Sequence, residues 1–301
     1  MKTESFLMRF FKRNGLDSIA WSLRRIYCPV KKTDLVLEVG SGGNPYFRAN
    51  ILCDAYFETQ ERFFVPLIYD RPTIIASAEN LPFKNDAFDF VIASHVLEHS
   101  TNPKKFLEEI QRVGKAGYIE VPDAFMERLT HYTFHRTEIT ERNGELLIRK
   151  KKNFIQDKEL VELFDYKASR VFPELISRHP FHFHVRYYWR KDEGGIRFGM
   201  INPEYKFDWD FPVTNKNVVK NKFNLNNFLK KQILLLLRIL FSQNKRNKDI
   251  NIIKLMMCNK CKENNSIELN KEKASVNCRI CGEKYVVYGI KNNSWNIMLQ
   301  F

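Results

Sequence analysis

The stretch Asp34-Leu-Val-Leu-Glu-Val-Gly-Ser-Gly-Gly-Asn-Pro45 decides how the chain is read. Leu35, Val36, Leu37 and Val39 are interrupted only by Glu38, the pattern of a short strand covered on both faces. Gly40, Gly42 and Gly43 then strip the Cβ from most of a turn, so the backbone can take positive φ and a ligand can come within contact distance. Pro45 suits the first position of a following helix, where no N–H is needed. A dinucleotide fingerprint would close on a third glycine where Pro45 stands, which weakens that reading. Glu38, two residues before the first glycine, would repel a pyrophosphate and attract a cationic ligand.

In these residues the stretch resembles the first motif of the class I S-adenosylmethionine-dependent methyltransferases. The resemblance implies that Glu38 and the loop Gly40, Ser41 and Gly42 hold the methionine end of that cofactor. Ile51-Leu52-Cys53-Asp54 reads as a second strand ending in a carboxylate. Asp54 follows Gly40 by 14 residues, a distance that suits an acid accepting both ribose hydroxyls across adjacent strand ends; its bland alternative is a turn former or helix cap.

A third strand, Thr73 to Ala78, leads into Glu79-Asn80-Leu81-Pro82-Phe83 and then Phe88-Asp89-Phe90-Val91-Ile92-Ala93-Ser94-His95-Val96-Leu97-Glu98-His99. That order is similar to the methyltransferase type 11 branch: a Leu-Pro-Phe turn, a Phe-Asp-apolar strand and a His-x-x-Glu-His helix entry. The resemblance implies that Ala78 and Glu79 surround the adenine, with Ser94 also beside the cofactor. Ser77 stands where the branch usually has an acid, so its hydroxyl or Glu79 would accept the adenine amino proton. His95, at the carboxyl end of the fourth strand, sits where open α/β sheets place ligands, and it is the first candidate for a general base. His99 shares a helix face with it and reads as packing rather than as half of a metal pair.

Residues 6 to 26 form two short helices broken at Asn14-Gly15, with their Arg and Lys as a solvated face or a substrate lid. Residues 103 to 114 form a helix and 117 to 122 a fifth strand. Glu120 and Asp123 stand at or near that strand's end, where either is a base or a cap; His135 and Asp123 are the next candidates for catalysis. Residues 130–152 read as an inserted hairpin about Asn143-Gly144, placed to choose the acceptor, the alternative being a surface ornament. The strand-like runs 182–189 and 196–201 complete the expected fold: α/β, a seven-stranded Rossmann-like sheet with the last strand antiparallel. His182 and His184 share a strand face, but spacing offers no third metal ligand.

The 301 residues suffice for one large domain and a small module, and a formal charge of +14 with pI near 9.4 points to an anionic partner. Residues 216 to 248 hold nine Lys or Arg and no acid, with an apolar run at the centre too short to span a bilayer. That connector reads either as an interfacial helix drawn to an anionic membrane or as a linker helix packed on the main domain. Cys258-x-x-Cys261 and Cys278-x-x-Cys281 have the spacing of a closed tetrahedral thiolate site for structural zinc. Around them the tail is similar to the small zinc-ribbon proteins that activate class I methyltransferases, which implies a partner module joined in cis; a ribbon touching RNA is the competing reading.

The expected organisation is therefore a methyltransferase domain over 1–212 with its cofactor half at 33–123, a connector at 213–250 and a zinc ribbon at 251–301. Arg9, Lys12 and Arg13 interrupt any signal-peptide core, so the expected place is the cytoplasm, with the connector at the inner membrane face. The expected activity is O-methylation of a sugar, glycan or lipid-linked acceptor. An RNA methyltransferase is the second reading, and a cofactor-binding scaffold without turnover the third.

Overall fold

A computed structural model describes residues 1–130, 132–155, 157–210, 250–270, 275–291 and 296–300, together with 232, 236–237 and 240–241. Two short helices open the chain, α1 (Phe6–Arg13) and α2 (Asp17–Leu23). Ser5 caps the first by accepting the Met8 N–H at 3.2 Å, and Gly15, at φ +70°, lets the chain turn between them.

The strands β1 (Val36–Val39), β2 (Ile51–Asp54), β3 (Thr73–Ile75), β4 (Phe90–Ser94) and β5 (Ala116–Pro122) lie parallel in the order β3-β2-β1-β4-β5. The helix α3 (Pro103–Val113) crosses between the last two. Asn102 caps it by accepting the Lys105 N–H, and Phe106, Leu107, Ile110 and Val113 form its buried stripe. Each such side chain contributes on the order of 1.5–3 kcal/mol by leaving water.

After β5 come α4 (Ala124–Thr130) and a hairpin of β6 (Thr137–Arg142) and β7 (Glu145–Lys150). Asn143 and Gly144, both at positive φ, form its two-residue turn. Two further helices follow, α5 (Lys158–Lys167) and α6 (Phe172–Arg178), before β8 (His184–Arg190) pairs antiparallel with β5 along its whole length. Among the described residues six strands of this sheet precede the connector, not the seven expected, and the antiparallel one is the sixth. The run 196–201 leaves that sheet: β9 (Phe198–Met200) pairs parallel with β7 in a separate three-stranded sheet. Gly194 and Gly195, both at positive φ, turn the chain off the sheet, and the Arg197 N–H then donates to the Tyr187 hydroxyl rather than to a β8 carbonyl.

The tail contains α7 (Ile252–Leu255) and strands β10 (Ile267–Asn270), β11 (Ser275–Cys278), β12 (Lys284–Lys291) and β13 (Asn296–Gln300). These continue the main sheet, because β13 pairs parallel with the outer strand β3, and β12, β11 and β10 follow antiparallel. The Leu81-Pro82-Phe83 turn is the second seam: Lys84 N–H donates to Leu255 O at 2.9 Å and Met257 N–H to Pro82 O at 3.1 Å. Met256, fully buried, joins Phe83 and Phe88 in the core of the main sheet. The connector expected at 213–250 lies almost wholly outside the described residues. Among the described residues no helix is long and apolar enough to cross a membrane.

Candidate active site

A cavity of about 410 Å³ opens at the carboxyl ends of β1, β2 and β4, where an open parallel sheet gathers its ligands. Glu38, Gly40, Ser41, Gly42, Asp54, Ala78, Glu79 and Ser94, the residues expected to face a cofactor, all line it, and so does His95.

The glycine loop is folded back onto β2, with Gly40 and Ser41 both donating to Cys53 O at 2.8 and 3.1 Å. Gly40 sits at φ +69°, and a Cβ there would lie 2.0 Å from Val96 Cγ2, so no side chain fits. Gly42 N–H donates to Asp54 Oδ2 at 2.9 Å; Asp54 Oδ1 accepts from Tyr56 N–H at 3.1 Å and from Arg62 Nη1 at 3.1 Å. Glu38 is buried and accepts the Tyr46 N–H at 2.7 Å. Burial pushes its carboxyl up to about 7, with Arg25 offsetting part of that cost. The helix expected at Pro45 does not form. Glu38 takes the Tyr46 amide, and the buried Arg71 guanidinium takes the Tyr46 and Ala49 carbonyls at 3.0 and 2.7 Å, acceptors that a helix would have needed.

These features fit the expected cofactor on physical grounds. The backbone is bare where a ligand must approach, two carboxylates stand at neighbouring strand ends, and the buried Ser41 hydroxyl has no hydrogen-bond partner. At the residues expected to surround adenine, the polar groups are already engaged with the protein. Glu79 accepts from Ser100 Oγ at 2.7 Å, Thr101 Oγ1 at 3.1 Å and Asn102 N–H at 2.9 Å, so its carboxylate fixes the turn into α3. Ser77 also lines the cavity, and its hydroxyl accepts the Glu79 N–H.

His95 takes a left-handed φ of +57°, held by its N–H donating to Glu120 O at 2.7 Å. Its ring lies between two buried carboxylates, Nδ1 at 3.4 Å from Glu98 and Nε2 at 3.3 Å from Glu120. Loss of water around the ring disfavours its charge, but the close contacts with the Glu120 and Glu98 carboxylates outweigh it and raise its pKa to about 9. The imidazole is thus charged at neutral pH, a hydrogen-bond donor there rather than the base expected. Glu120 is the node of the site: Arg24 of the N-terminal segment binds it twice, at 2.7 and 3.0 Å, Ser94 Oγ donates at 3.1 Å, and Tyr118 OH donates as well. Burial works against its charge, yet His95 and Arg24 hold its pKa well below the usual carboxylate range.

The other two candidate catalytic residues are not among those lining the cavity. Asp123 accepts the Phe125 N–H and the Thr140 hydroxyl, which ties α4 to the hairpin. His135 Nδ1 donates to the Glu127 carboxylate at 2.6 Å, and the ring packs edge-on against His99, their centres 4.8 Å apart. The hairpin lines no part of the cavity among the described residues; it braces the turn after β4, with Arg136 N–H donating to Glu98 O at 2.7 Å. Sequence reasoning missed Arg24, Arg25 and Arg62. It read the first two as part of a solvated face or a substrate lid, and an arginine eight residues after Asp54 carries no local signal.

In the tail, Cys258, Cys261, Cys278 and Cys281 bring their sulfurs within 4.8 Å of one another. Cys258 and Cys281 are 3.6 Å apart and Cys261 and Cys278 are 3.7 Å apart. Zinc–sulfur bonds of about 2.3 Å give a tetrahedron with edges of about 3.8 Å, so the set fits zinc.

Residues 58–119, about a fifth of the chain, match the methyltransferase domain family. Over 95 residues it is 36% identical to an uncharacterized protein of Methanocaldococcus jannaschii, a match covering 30% of this chain and 42% of that protein. A solved structure of a SAM-dependent methyltransferase from Thermotoga maritima is 20% identical, covering 39% of this chain and 57% of that one at a TM-score of 0.28. A chain of the Haloferax volcanii complex between the Trm112 methyltransferase activator and a protein described as a methyltransferase is 15% identical, covering 64% of this chain and 94% of its own at a TM-score of 0.36. The matches therefore span less than two thirds of the first two of these proteins.

Proposed function

We propose that the protein is an S-adenosylmethionine-dependent methyltransferase whose acceptor is a sugar, glycan or lipid-linked hydroxyl compound. The observation that carries the cofactor reading is the pairing of Glu38 and Asp54 at adjacent strand ends across a glycine loop that has no room for side chains. When bound, the cofactor supplies a methyl group on a cationic sulfur that is already a good leaving group. The protein's part is then alignment and exclusion of water.

In this reading Glu38 and the Gly40–Gly42 loop hold the amino acid end, and Asp54 takes the ribose diol. Binding the diol requires Asp54 to exchange its ion pair with Arg62 for the two hydroxyls. Ala78 and Glu79 border the adenine side. Ser94 lies beside the cofactor, and His95 faces the acceptor. Because His95 is protonated at neutral pH, it orients an acceptor oxygen by donating to it, and it removes a proton only in the fraction of molecules where it is neutral. Arg24, bound to Glu120, ties the N-terminal segment to this wall of the cavity. The four thiolates hold a structural zinc, and the basic connector attracts the anionic membrane face that would present a lipid-linked acceptor.

The discriminating experiment is transfer of labelled methyl from S-adenosylmethionine into separated lipid, glycan and RNA fractions. Label in lipid or glycan supports this reading. Label in RNA alone replaces the acceptor, and label in no fraction leaves a cofactor-binding scaffold.

A further inference from the structure

Glu98, His99 and His135 come together where the hairpin entry is stitched to the turn after β4 by the Arg136-to-Glu98 backbone bond. One ring nitrogen of each histidine and one Glu98 oxygen lie within 4.8 Å of one another. Glu98 is 1% exposed, yet neither carboxylate oxygen accepts a hydrogen bond; its nearest cation, His95 Nδ1, stands at 3.4 Å. A buried carboxylate in that condition is costly unless a further positive group meets it.

Both histidines are prepared in the manner of metal ligands. His99 Nδ1 donates to Phe134 O at 3.0 Å, and His135 Nδ1 is bonded to Glu127 at 2.6 Å. In the neutral ring each such bond puts the proton on Nδ1 and leaves the lone pair on Nε2. Glu127 is itself anchored by the buried Lys151 ammonium at 2.9 Å.

We propose that Glu98, His99 and His135 form a binding site for a divalent first-row transition metal, zinc foremost. Two imidazoles and one carboxylate suit such an ion, and three protein ligands leave a fourth position for water or a hydroxyl. Ligand bonds of about 2.1 Å put tetrahedral ligand atoms about 3.4 Å apart, a separation within the 4.8 Å that bounds the present set. Glu61, whose carboxylate lies 3.7 Å from His99 Nδ1, is an outer acidic neighbour, and both residues line the main cavity. The inference stands whether or not the cavity binds S-adenosylmethionine.

Cobalt(II) titrated into the metal-stripped, reduced full-length chain tests it. Two equivalents should bind: one with an intense thiolate-to-metal band from the four cysteines, the other adding only weak visible bands. His99→Gln and His135→Gln should each lose the second equivalent and keep the thiolate band, which also reports an intact fold. His182→Ala, away from the cluster, should keep both. Saturation at one equivalent in the wild type, retention of the second in both histidine variants, or its loss in His182→Ala would overturn the proposal. Should the variants not fold, X-ray absorption on the fully loaded wild type decides: a nitrogen and oxygen shell beside the sulfur shell supports the site, and sulfur alone overturns it.

Discussion

Replacing Glu120 by glutamine removes one charge from the most connected group of the site and keeps its shape. In the wild type this carboxylate accepts from Arg24 at 2.7 and 3.0 Å, from Ser94 at 3.1 Å and from Tyr118, with His95 Nε2 at 3.3 Å. The variant leaves Arg24, only 13% exposed, without its counter-charge; removing one partner of a buried pair costs about 3–5 kcal/mol. The low end applies, because Arg24 still stacks on Trp21 at 3.9 Å and bonds its carbonyl at 2.9 Å. His95 loses one of its two carboxylates, and its pKa should fall from about 9 by roughly one to two units. A folded pKa above the unfolded value stabilises the protein fully below about pH 6.5, and that contribution is lost as pH rises through about 9. The ring is 41% exposed, so the slope amounts to roughly 1–2 kcal/mol after screening. Denaturant unfolding at several pH values, with NMR titration of the His95 ring, measures both effects. An unchanged His95 titration in Glu120→Gln, or a wild-type ring titrating below 7, would refute the reasoning.

Other consequences follow from the same geometry. Glu38 ionises near 7 in the ligand-free protein, so affinity for a cationic cofactor should rise roughly tenfold from pH 6 to pH 8, and Glu38→Gln should flatten the profile; a flat wild-type profile contradicts that role. Chelating the metal of the four cysteines should cost several kcal/mol and lower the unfolding temperature by about 10 °C, since Met256 shares the main core. Equal melting curves with and without chelator would detach the ribbon from the fold's stability. Cosedimentation with anionic vesicles should fall sharply when residues 216 to 248 are deleted, and unchanged binding removes the membrane reading.

The first strands and the glycine turn were legible because their signals are local. An apolar strand, a glycine turn and a terminal acid follow one another within a few residues, and burial on both faces forces that pattern. Asn143-Gly144 likewise announces its hairpin, whose two positive-φ positions those residues tolerate. What escaped depends on contacts between distant segments. Arg24 meets Glu120 across 96 positions, and β13 finds the outer edge of β3 only once the tail has folded back. His95 illustrates the same limit. Its place at a strand end could be read, but its charge is set by Glu98 and Glu120, whose approach no spacing rule foretells. The run 196–201 alternates like a strand and is one; its partner is the hairpin, selected by a glycine pair and the Tyr187 hydroxyl.

The account rests on the cavity beside the glycine loop being a site for S-adenosylmethionine, and calorimetric titration of that compound into wild type and Asp54→Ala tests it most directly. Two charge-assisted hydrogen bonds to a diol are worth about 1.5–3 kcal/mol each, offset in part by the Arg62 pair that must open. The wild type should therefore bind one equivalent, and the variant should bind roughly 30- to 1,000-fold more weakly. Equal heats from the two proteins, or no saturable heat from the wild type, would contradict it.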